Sequence, residues 1–239
     1  MIESPLLKNL TGYIGGNPFD VFNPATGEVV AKVPSMSEQD VLDAVEAGKS
    51  ALRLTNPWPI ETRRKWLEDI RDGLKEHREE IGRILCMEHG KPLKEAQGEV
   101  DYAAGFFDYC AKHVNALDAH TIPEKPKDCT WTVHYRPVGV TGLIVPWNFP
   151  IGMIAKKLSA ALAAGCPSVI KPASETPLTM VAFFSVMDKL GLPDGMVNLV
   201  MGKASMIGKV LCEHKDVPML SFTGSTEVGR GLILDTAEQ

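Results

Sequence analysis

The feature of the sequence that most constrains its fold is a fourfold alternation of short apolar runs and helical patterns after residue 137. Each apolar run leads through a turn into a stretch with apolar residues at helical spacing. The four pairs, in chain order, are VGVTGLIV with IGMIAKKLSAALAAG, SVIK with LTMVAFFSVMDKLG, MVNLVMG with ASMIGKVLCEH, and MLSF with EVGRGLILDTAEQ. Because strands connected through helices pair in parallel, this pattern predicts the α/β class: a Rossmann-like open parallel sheet with helices on both faces.

The preceding residues are predicted to form helices and small strands around this sheet. Short alternating segments interrupted by Gly, Asn-Pro and Thr-Gly over residues 11–34 indicate strands and turns. Ser37 and Asp40 have the spacing of a capping box, which predicts that a helix begins there. Two further amphipathic patterns predict one helix over residues 61–90 and another over residues 92–117.

A change of composition separates these helices from the alternating part of the chain. A segment that contains Pro and Lys, followed by alternating large residues, predicts a projecting β-hairpin over residues 118–137. The residues on either side of the hairpin, 1–117 and 138–239, are expected to form one domain around the sheet.

Composition narrows the class of protein. A formal net charge of -5 and a pI near 5.7 argue against general nucleic-acid binding, which usually requires a basic surplus. The five cysteines show no CxxC spacing, so neither a metal site nor a disulfide framework is predicted, and a reducing compartment is expected. The chain has neither a signal-peptide pattern nor a run of about 18 apolar residues, which predicts a cytoplasmic protein without a membrane partner.

Small and polar residues follow each of the four predicted strands. The segments are PWN at 146–148, KPAS at 171–174, MGKA at 201–204 and FTGSTEVG at 222–229. In open α/β sheets, ligands bind beyond the carboxyl ends of the strands, where helix N-termini present free N–H groups. These four segments are therefore the candidate binding site.

Some of these residues suit a phosphorylated ligand. Gly224 and Ser225 let the backbone turn tightly into a helix, so backbone amides and a hydroxyl could face a pyrophosphate. Lys171 ends an apolar strand, where its ammonium could reach ribose hydroxyls or phosphate; the alternative is a lysine whose charge lies on the surface. The glycine spacing alone is a weak signal, because Arg230 and Gly231 stand where a P-loop requires Lys and Ser or Thr.

Asn148 lies between Pro146 and Pro150. Prolines end strands and begin helices, and asparagine suits turns, so these residues indicate a tight turn from a strand into a helix. The turn alone does not explain an amide side chain at this strand end.

The PWNFP motif, with ALAAGCPSVIKPASETPLT, GLPDGMVNLVMG and SFTGSTEVGR, resembles the NAD(P)-dependent aldehyde dehydrogenase superfamily. The motifs occur in the family's order, and the chain resembles the amino-terminal, cofactor-binding half of these enzymes throughout. The pattern is closest to that of succinate-semialdehyde dehydrogenases. The resemblance implies that the domain around the sheet binds NAD(P), and that the hairpin mediates a homo-oligomer, a dimer or a tetramer, in the full-length form.

The resemblance also implies roles for individual residues. Asn148 takes the place of an asparagine that helps to hold the oxyanion formed when a catalytic thiolate attacks an aldehyde, and an amide donor suits that developing charge. Trp147 and Ser225 are placed along the cofactor pyrophosphate, and Lys171 with Ser174 near the adenosine ribose. The implied cofactor-binding residues are Pro146, Trp147, Lys171, Pro172, Ala173, Ser174, Gly202, Gly224 and Ser225, with Gly202 on the adenine side.

Ser174 departs from a common pattern of the family. Many NAD-preferring members place a glutamate there, and its carboxylate would repel a 2′-phosphate. Ser174 together with Lys171 therefore predicts NADP as the cofactor and leaves use of NAD open.

Lys156 is the second departure that bears on function. It stands where family members acting on succinate semialdehyde carry an arginine, while Lys157 matches a lysine common in the family. A cation at this position suits a substrate carboxylate, although lysine lacks the bidentate fork of arginine. The resemblance thus implies a small-molecule aldehyde with a carboxylate, succinate semialdehyde above all. The alternative for Lys156 is a solvated helix lysine.

The family's reaction needs a cysteine nucleophile and a glutamate base, which lie in downstream segments resembling GQxC and ELGGK. Neither segment occurs in this sequence, so the catalytic domain is expected to be absent from the chain. None of the five cysteines follows the nucleophile motif, and none is predicted to act in catalysis. We therefore expect negligible dehydrogenase activity from the 239-residue chain alone.

Two other functions are compatible with parts of this pattern. One is a non-enzymatic module that keeps the dinucleotide site and the oligomerisation hairpin. The other, a different Rossmann dehydrogenase complete in one chain, is disfavoured because the sequence has neither a G-x-G-x-x-G fingerprint nor a Tyr/Lys-type catalytic pair.

Overall fold

The computed structural model describes residues 1–12, 17–54 and 57–237. The chain begins with a 3-10 helix at Pro5–Gly12, and strands β1 (Phe19–Phe22) and β2 (Val29–Val33) then pair in antiparallel fashion. These strands confirm the predicted small strands, except for residues 13–16, which lie outside the described part of the chain.

Helix α1 (Glu38–Leu54) begins at the predicted capping box. The backbone N–H and the hydroxyl of Ser37 each donate to Asp40 Oδ2 at 2.7 Å, and the N–H of Asp40 donates back to Ser37 Oγ at 3.3 Å. The short-range pattern in the sequence was therefore enough to locate this helix start.

The single helix expected over residues 61–90 is two helices, α2 (Ile60–Glu76) and α3 (Arg78–His89). The break is at His77, which has φ −97° and ψ 15°. Both helices bury apolar side chains, but no buried apolar side chain lies between Leu74 and Ile81. The helical pattern is therefore interrupted where the chain has no buried apolar side chain to hold it.

Helix α4 (Leu93–His113) and a short 3-10 helix (Val114–Leu117) follow. Helix α4 packs against both α2 and α3, and we call these three helices the outer layer. The predicted hairpin follows, although its strands β3 (His120–Thr121) and β4 (Thr132–Val133) contain only two residues each. Its proposed part in oligomerisation stays a prediction.

The central sheet has four parallel strands that fall within the predicted apolar runs: β5 (Thr141–Ile144), β6 (Ser168–Lys171), β7 (Val197–Leu199) and β8 (Met219–Phe222). Each strand leads into a helix, and these helices are α5 (Pro150–Ala164), α6 (Leu178–Met187), α7 (Ala204–Glu213) and α8 (Thr226–Asp235). The predicted α/β class with a parallel sheet is confirmed.

The strand order β7-β6-β5-β8 determines where the helices lie. The chain moves from β5 to β6 to β7 in one direction and then returns across the sheet to β8. Since such crossovers are right-handed, α5 and α6 cover one face and α7 covers the other. Helix α5 contacts α6, while α7 contacts α1 and α8, which agrees with this division. The strand order therefore reverses between β5 and β8, and ligands of open α/β sheets bind at this kind of position.

A buried carboxylate joins the outer layer to the start of α6. Glu88 of α3 is only 3% exposed, and it accepts the N–H groups of Leu178 at 2.7 Å and Thr179 at 2.8 Å, as well as the Thr179 hydroxyl. Pro177 precedes α6 and provides no side-chain cap of its own. Burial is the main cause that raises the pKa of Glu88 to about 7, while these hydrogen bonds oppose the shift.

The pKa of Glu88 predicts a pH-dependent contribution to stability. The folded state keeps a proton that the unfolded state releases, so the free energy of unfolding should fall as pH rises from 4.5 to about 7. The full change is about 3 kcal/mol. Urea unfolding at a series of pH values should show this fall for the wild type relative to Glu88→Gln.

Glu80 is the matched control, because the hydrogen bond from Arg83 lowers the pKa of that half-buried carboxyl. Its contribution to stability should be lost as pH falls, the opposite sign. A stability difference between wild type and Glu88→Gln that does not vary with pH would contradict the assignment.

Candidate functional site

The candidate site is a crevice at the carboxyl ends of the adjacent strands β5 and β8. The chain leaves β5 through Pro146, Trp147 and Asn148, and it leaves β8 through Thr223 and Gly224. The N–H of Thr223 donates to the carbonyl of Ile144 at 3.1 Å, which holds the two exits side by side. Two of the four predicted segments, PWN and FTGSTEVG, are thus brought together at the point where the strand order reverses.

The β8 side of the crevice is a helix N-terminus. Ser225 is the N-cap of α8, and its hydroxyl accepts the N–H of Val228 at 3.3 Å. A Cβ at Gly224 would collide with the ring of Phe222, so a larger residue would fit only if this ring moved. Because the first N–H groups of a helix have no partner within it, this end of α8 can receive an anionic group.

Lys171 lies at the end of β6, next to β5 in the sheet. Its side chain is buried, with the residue only 5% exposed. Burial lowers the pKa of Lys171, and the nearby carboxylate of Glu175 opposes this shift. Pro172 and Ala173 are also buried, whereas Ser174 is exposed.

Trp147 and Ser174 line one cavity of about 490 Å³ between the strand ends and the β1–β2 hairpin. The Trp147 ring is 54% exposed, and its centroid lies 5.9 Å from that of the His89 ring. His89 and Glu175 line the same cavity. The structure therefore brings together the two residues that the sequence assigned to the pyrophosphate and to the ribose.

Asn148 is exposed at the mouth of the crevice, in the turn of residues 146–150 that leads into α5. Its carbonyl accepts a hydrogen bond from Lys91 Nζ at 3.2 Å. The α5 N–H groups of Ile151 and Gly152 donate to Glu99 Oε1 of α4 at 3.0 and 3.1 Å. The turn is thus held from the outer layer, while the Asn148 side chain lies at the surface.

Sequence reasoning missed the charged residues Glu88, Lys91 and Glu99, which hold the starts of α5 and α6. A signal for two of them was present, since Glu88 and Glu99 fall on the apolar faces of their helices. Glu88 follows Ile84 and Leu85 at spacings of four and three residues, both fully buried. A carboxylate in such a position must be paired or must cap another element.

Lys156 lies on α5 and lines a second cavity, of about 540 Å³, beside β8. The charged residues of the described chain that line it are all basic, namely Arg136, Lys156 and Lys157. Lys157 donates to Ser221 Oγ at 2.9 Å, and burial, followed by the charge of Lys156, lowers the pKa of Lys157. Lys156 itself is exposed, so its charge is available to a ligand.

Gly202 is buried after β7, at the edge of the sheet. It has φ +138°, which favours glycine, and a Cβ there would lie 2.9 Å from Ser35 Oγ and 3.1 Å from the Met36 nitrogen. Backbone conformation and packing against the link between β2 and α1 therefore account for this glycine. Its assignment to the adenine side stays a prediction.

Two cysteines of the described chain, Cys166 and Cys212, are buried. Burial raises the pKa of Cys166, and it raises the pKa of Cys212 to about 11, so both favour the thiol form.

In the described part of the chain, no group of three or more His, Cys, Asp or Glu side chains could hold a metal ion. None of its helices combines the length and apolarity needed to span a bilayer.

Comparison with known proteins shows the relationships of the chain. A profile of the aldehyde dehydrogenase family matches residues 13–239. Succinate-semialdehyde dehydrogenase (NADP(+)) of Escherichia coli is 39% identical over 223 residues, which are 93% of this chain and 46% of that protein. Glutarate-semialdehyde dehydrogenase of Pseudomonas putida is 40% identical over 227 residues, again 93% of this chain and 46% of that protein.

A solved structure gives the same result. The crystal structure of an oxidoreductase from Marinobacter aquaeolei is 88% identical to this chain and superposes with a TM-score of 0.96, covering 100% of this chain and 52% of that one. The chain therefore spans about half the length of the proteins it matches.

Gly202→Ala should destabilise the protein by about 1–3 kcal/mol, because alanine strains the backbone at φ +138° and presses on Ser35 and Met36. Gly98→Ala in α4 is the control, since no atom lies within 4 Å of a Cβ there. That change should increase stability by about 0.5–1 kcal/mol. Urea unfolding of both variants tests this, and a Gly202→Ala variant as stable as wild type would refute it.

Proposed function

The chain belongs to the aldehyde dehydrogenase family, and we propose that it is the cofactor-binding half of an NADP-using enzyme that oxidises a carboxylated aldehyde to its acid. The observation that carries the proposal is the crevice between β5 and β8, where the strand order reverses. Trp147 and Asn148 lie on one side of it and the N-terminus of α8 on the other.

The residues at the strand ends suit the chemistry of a nicotinamide dinucleotide. Gly224, where a Cβ would collide with Phe222, and Ser225 at the start of α8 would hold the pyrophosphate together with Trp147. Buried Lys171 and exposed Ser174 would hold the adenosine ribose. When bound, the dinucleotide supplies the acceptor for a hydride from the substrate.

NADP is proposed as the cofactor because Ser174 has no charge. A 2′-phosphate would meet a hydroxyl at this position and the ammonium of Lys171 nearby. The E. coli relative carries NADP(+) in its name, which supports the same choice. Glu175 lies next to Ser174 and is exposed, so its carboxylate can turn away from the ligand into water.

Asn148 is proposed to donate its amide N–H to the aldehyde oxygen as that oxygen becomes negative. Its exposure at the mouth of the crevice leaves the amide free to meet a substrate, and its backbone is fixed by Lys91. One such donor contributes about 3 kcal/mol to the stability of an oxyanion transition state.

The substrate is proposed to be an aldehyde with a carboxylate at its far end. Phe149, Gly152 and Lys156 recur at helical spacing, so they lie along one face of α5 that starts at the Asn148 turn. Lys156 is six residues after Pro150, or about 9 Å along the helix axis. The names of the two relatives specify succinate and glutarate semialdehyde, both of which have a carboxylate at the opposite end from the aldehyde.

A homo-oligomer through the hairpin of residues 118–137 is also proposed. Trp131 and Tyr135 are 49% and 44% exposed on this hairpin, and large aromatic side chains of this kind are typical of interfaces.

The cofactor proposal predicts that Ser174→Glu reverses the preference between the two dinucleotides. Calorimetric titration of the 239-residue chain should show NADP binding weakened by about tenfold or more, because the new carboxylate repels the 2′-phosphate. NAD binding should be equal or tighter, since a carboxylate can accept both ribose hydroxyls.

Ser50→Glu is the matched control, because Ser50 is exposed on α1 away from the strand ends. It adds the same charge and should leave both affinities unchanged. Equal NADP affinity in Ser174→Glu and wild type would reject the role of Ser174, and a chain that binds neither dinucleotide would reject the site.

The substrate proposal requires an active protein. We define the completed chain as residues 1–239 joined in frame to the part of the Marinobacter aquaeolei oxidoreductase that this sequence does not cover. In it, Lys156→Met should raise the KM for succinate semialdehyde by about tenfold, because a partly exposed charge pair is lost.

Butanal is the control substrate, because it has the same chain length and no carboxylate. Its KM should stay the same or fall in Lys156→Met, and Lys156→Arg should keep the preference for succinate semialdehyde. An equal effect of Lys156→Met on both aldehydes would contradict recognition of the carboxylate.

A further inference from the structure

The Asn148 turn is connected to a buried ion pair between Lys91 and Glu99. Lys91 Nζ lies 2.5 Å from Glu99 Oε2, and the two side chains are 9% and 1% exposed. The other ion pairs of the described chain have at least one partner more than a quarter exposed. Burying two charges carries a desolvation penalty, so a buried ion pair is weak evidence for a contribution to stability. It is better evidence for how the neighbouring backbone is positioned.

Each member of the pair holds a different end of the turn. Lys91 donates to the carbonyl of Asn148 at 3.2 Å, and its ammonium lies 4.5 Å from the centroid of the Phe149 ring. Glu99 accepts the N–H groups of Ile151 and Gly152 on the far side of Pro150. The pair therefore fixes the backbone immediately before and immediately after residues 149 and 150.

The turn has no equivalent support of its own. The N-cap residue of α5 is Phe149, which makes no side-chain cap, and Pro150 at the first helical position has no N–H. Without Glu99, two buried N–H groups would lose their acceptor, and without Lys91, Glu99 would be a buried charge without its cation. The direction in which Asn148 leaves β5 thus depends on residues of the outer layer.

We propose that Lys91 and Glu99 are positioning residues, which set the orientation of the Asn148 amide towards the substrate oxygen. The proposal rests on the function proposed above for Asn148. Neither residue needs to touch substrate or cofactor, because Lys91 acts through the Asn148 carbonyl and Glu99 through the start of α5. An amide donor stabilises an oxyanion only in a narrow range of positions, so a small rotation of this turn is sufficient to weaken it.

The test is a double-mutant cycle in the completed chain, with Lys91→Met and Asn148→Ala. Lys91→Met alone should lower kcat by about 10- to 100-fold, with the dinucleotide affinity changed by no more than about twofold. Asn148→Ala removes the amide but keeps the carbonyl that Lys91 contacts. Adding Lys91→Met to Asn148→Ala should therefore lower kcat by no more than a further factor of about two.

Arg78→Met is the matched control. Arg78 of α3 and Asp101 of α4 form an ion pair at 2.8 Å, so this pair also reaches α4, which carries Glu99, but it contacts no residue of the turn. This variant should retain the kcat of the parent. Lys91→Arg should recover most of the activity, because arginine can donate both to Glu99 and to the Asn148 carbonyl.

A second measurement uses the 239-residue chain and does not depend on activity or on stability. Trp147 immediately precedes Asn148 and is half-exposed, so its environment reports on the turn. In protein labelled with 5-fluorotryptophan, the ¹⁹F resonance of Trp147, assigned with Trp147→Phe, should shift in Lys91→Met and Glu99→Gln but not in Arg78→Met. The chemical shift of the ¹⁹F resonance of buried Trp66 should be unchanged in all folded variants.

The possible results distinguish a failure of the role proposed for Asn148 from a failure of the positioning role proposed for Lys91 and Glu99. If Asn148→Ala has the kcat of the parent, the role proposed for Asn148 fails. If Asn148→Ala loses activity while Lys91→Met has no effect, or while the two losses multiply, Asn148 keeps its role and the positioning inference is overturned. An unshifted Trp147 resonance in Lys91→Met would also overturn it.

Discussion

The structure depends on two carboxylates that are buried in the outer helices and cap the inner ones. Helix α5 begins at a proline and α6 follows one, and the N-cap residue of neither helix provides a side-chain cap. Glu99 of α4 accepts the first N–H groups of α5, and Glu88 of α3 accepts those of α6. Since both helix starts follow strands of the sheet, the outer layer fixes the geometry of the strand ends, where the site lies.

The strand order provides the remaining constraint. Because the chain reverses direction across the sheet between β7 and β8, α5 and α8 leave adjacent strands on opposite faces, and a crevice opens between them. Asn148 and Ser225 follow adjacent strands, β5 and β8, although they are 77 positions apart in the sequence. The proposed cofactor site and the proposed oxyanion donor are therefore consequences of one topology and of the two buried caps that hold it.

Local patterns in the sequence were sufficient to predict much of this fold. The runs SVIK and MLSF coincide with β6 and β8, and the pair Ser37 and Asp40 marks the start of α1, because these features depend on neighbouring residues. The break at His77 was missed, since a charge-rich helix pattern continued across a gap in the buried residues. The roles of Glu88, Lys91 and Glu99 were also missed, because their partners lie 52 to 91 residues away along the chain, apart from the pair they form with each other.

The dinucleotide site is proposed to lie at the strand ends of this sheet, at the crevice between β5 and β8. A crystal structure of the 239-residue chain grown with NADP tests it most directly. The 2′-phosphate and ribose should lie beside Lys171 and Ser174, and the pyrophosphate should lie between Trp147 and the N-terminus of α8. NADP bound on another surface, with the crevice empty, would refute this assignment.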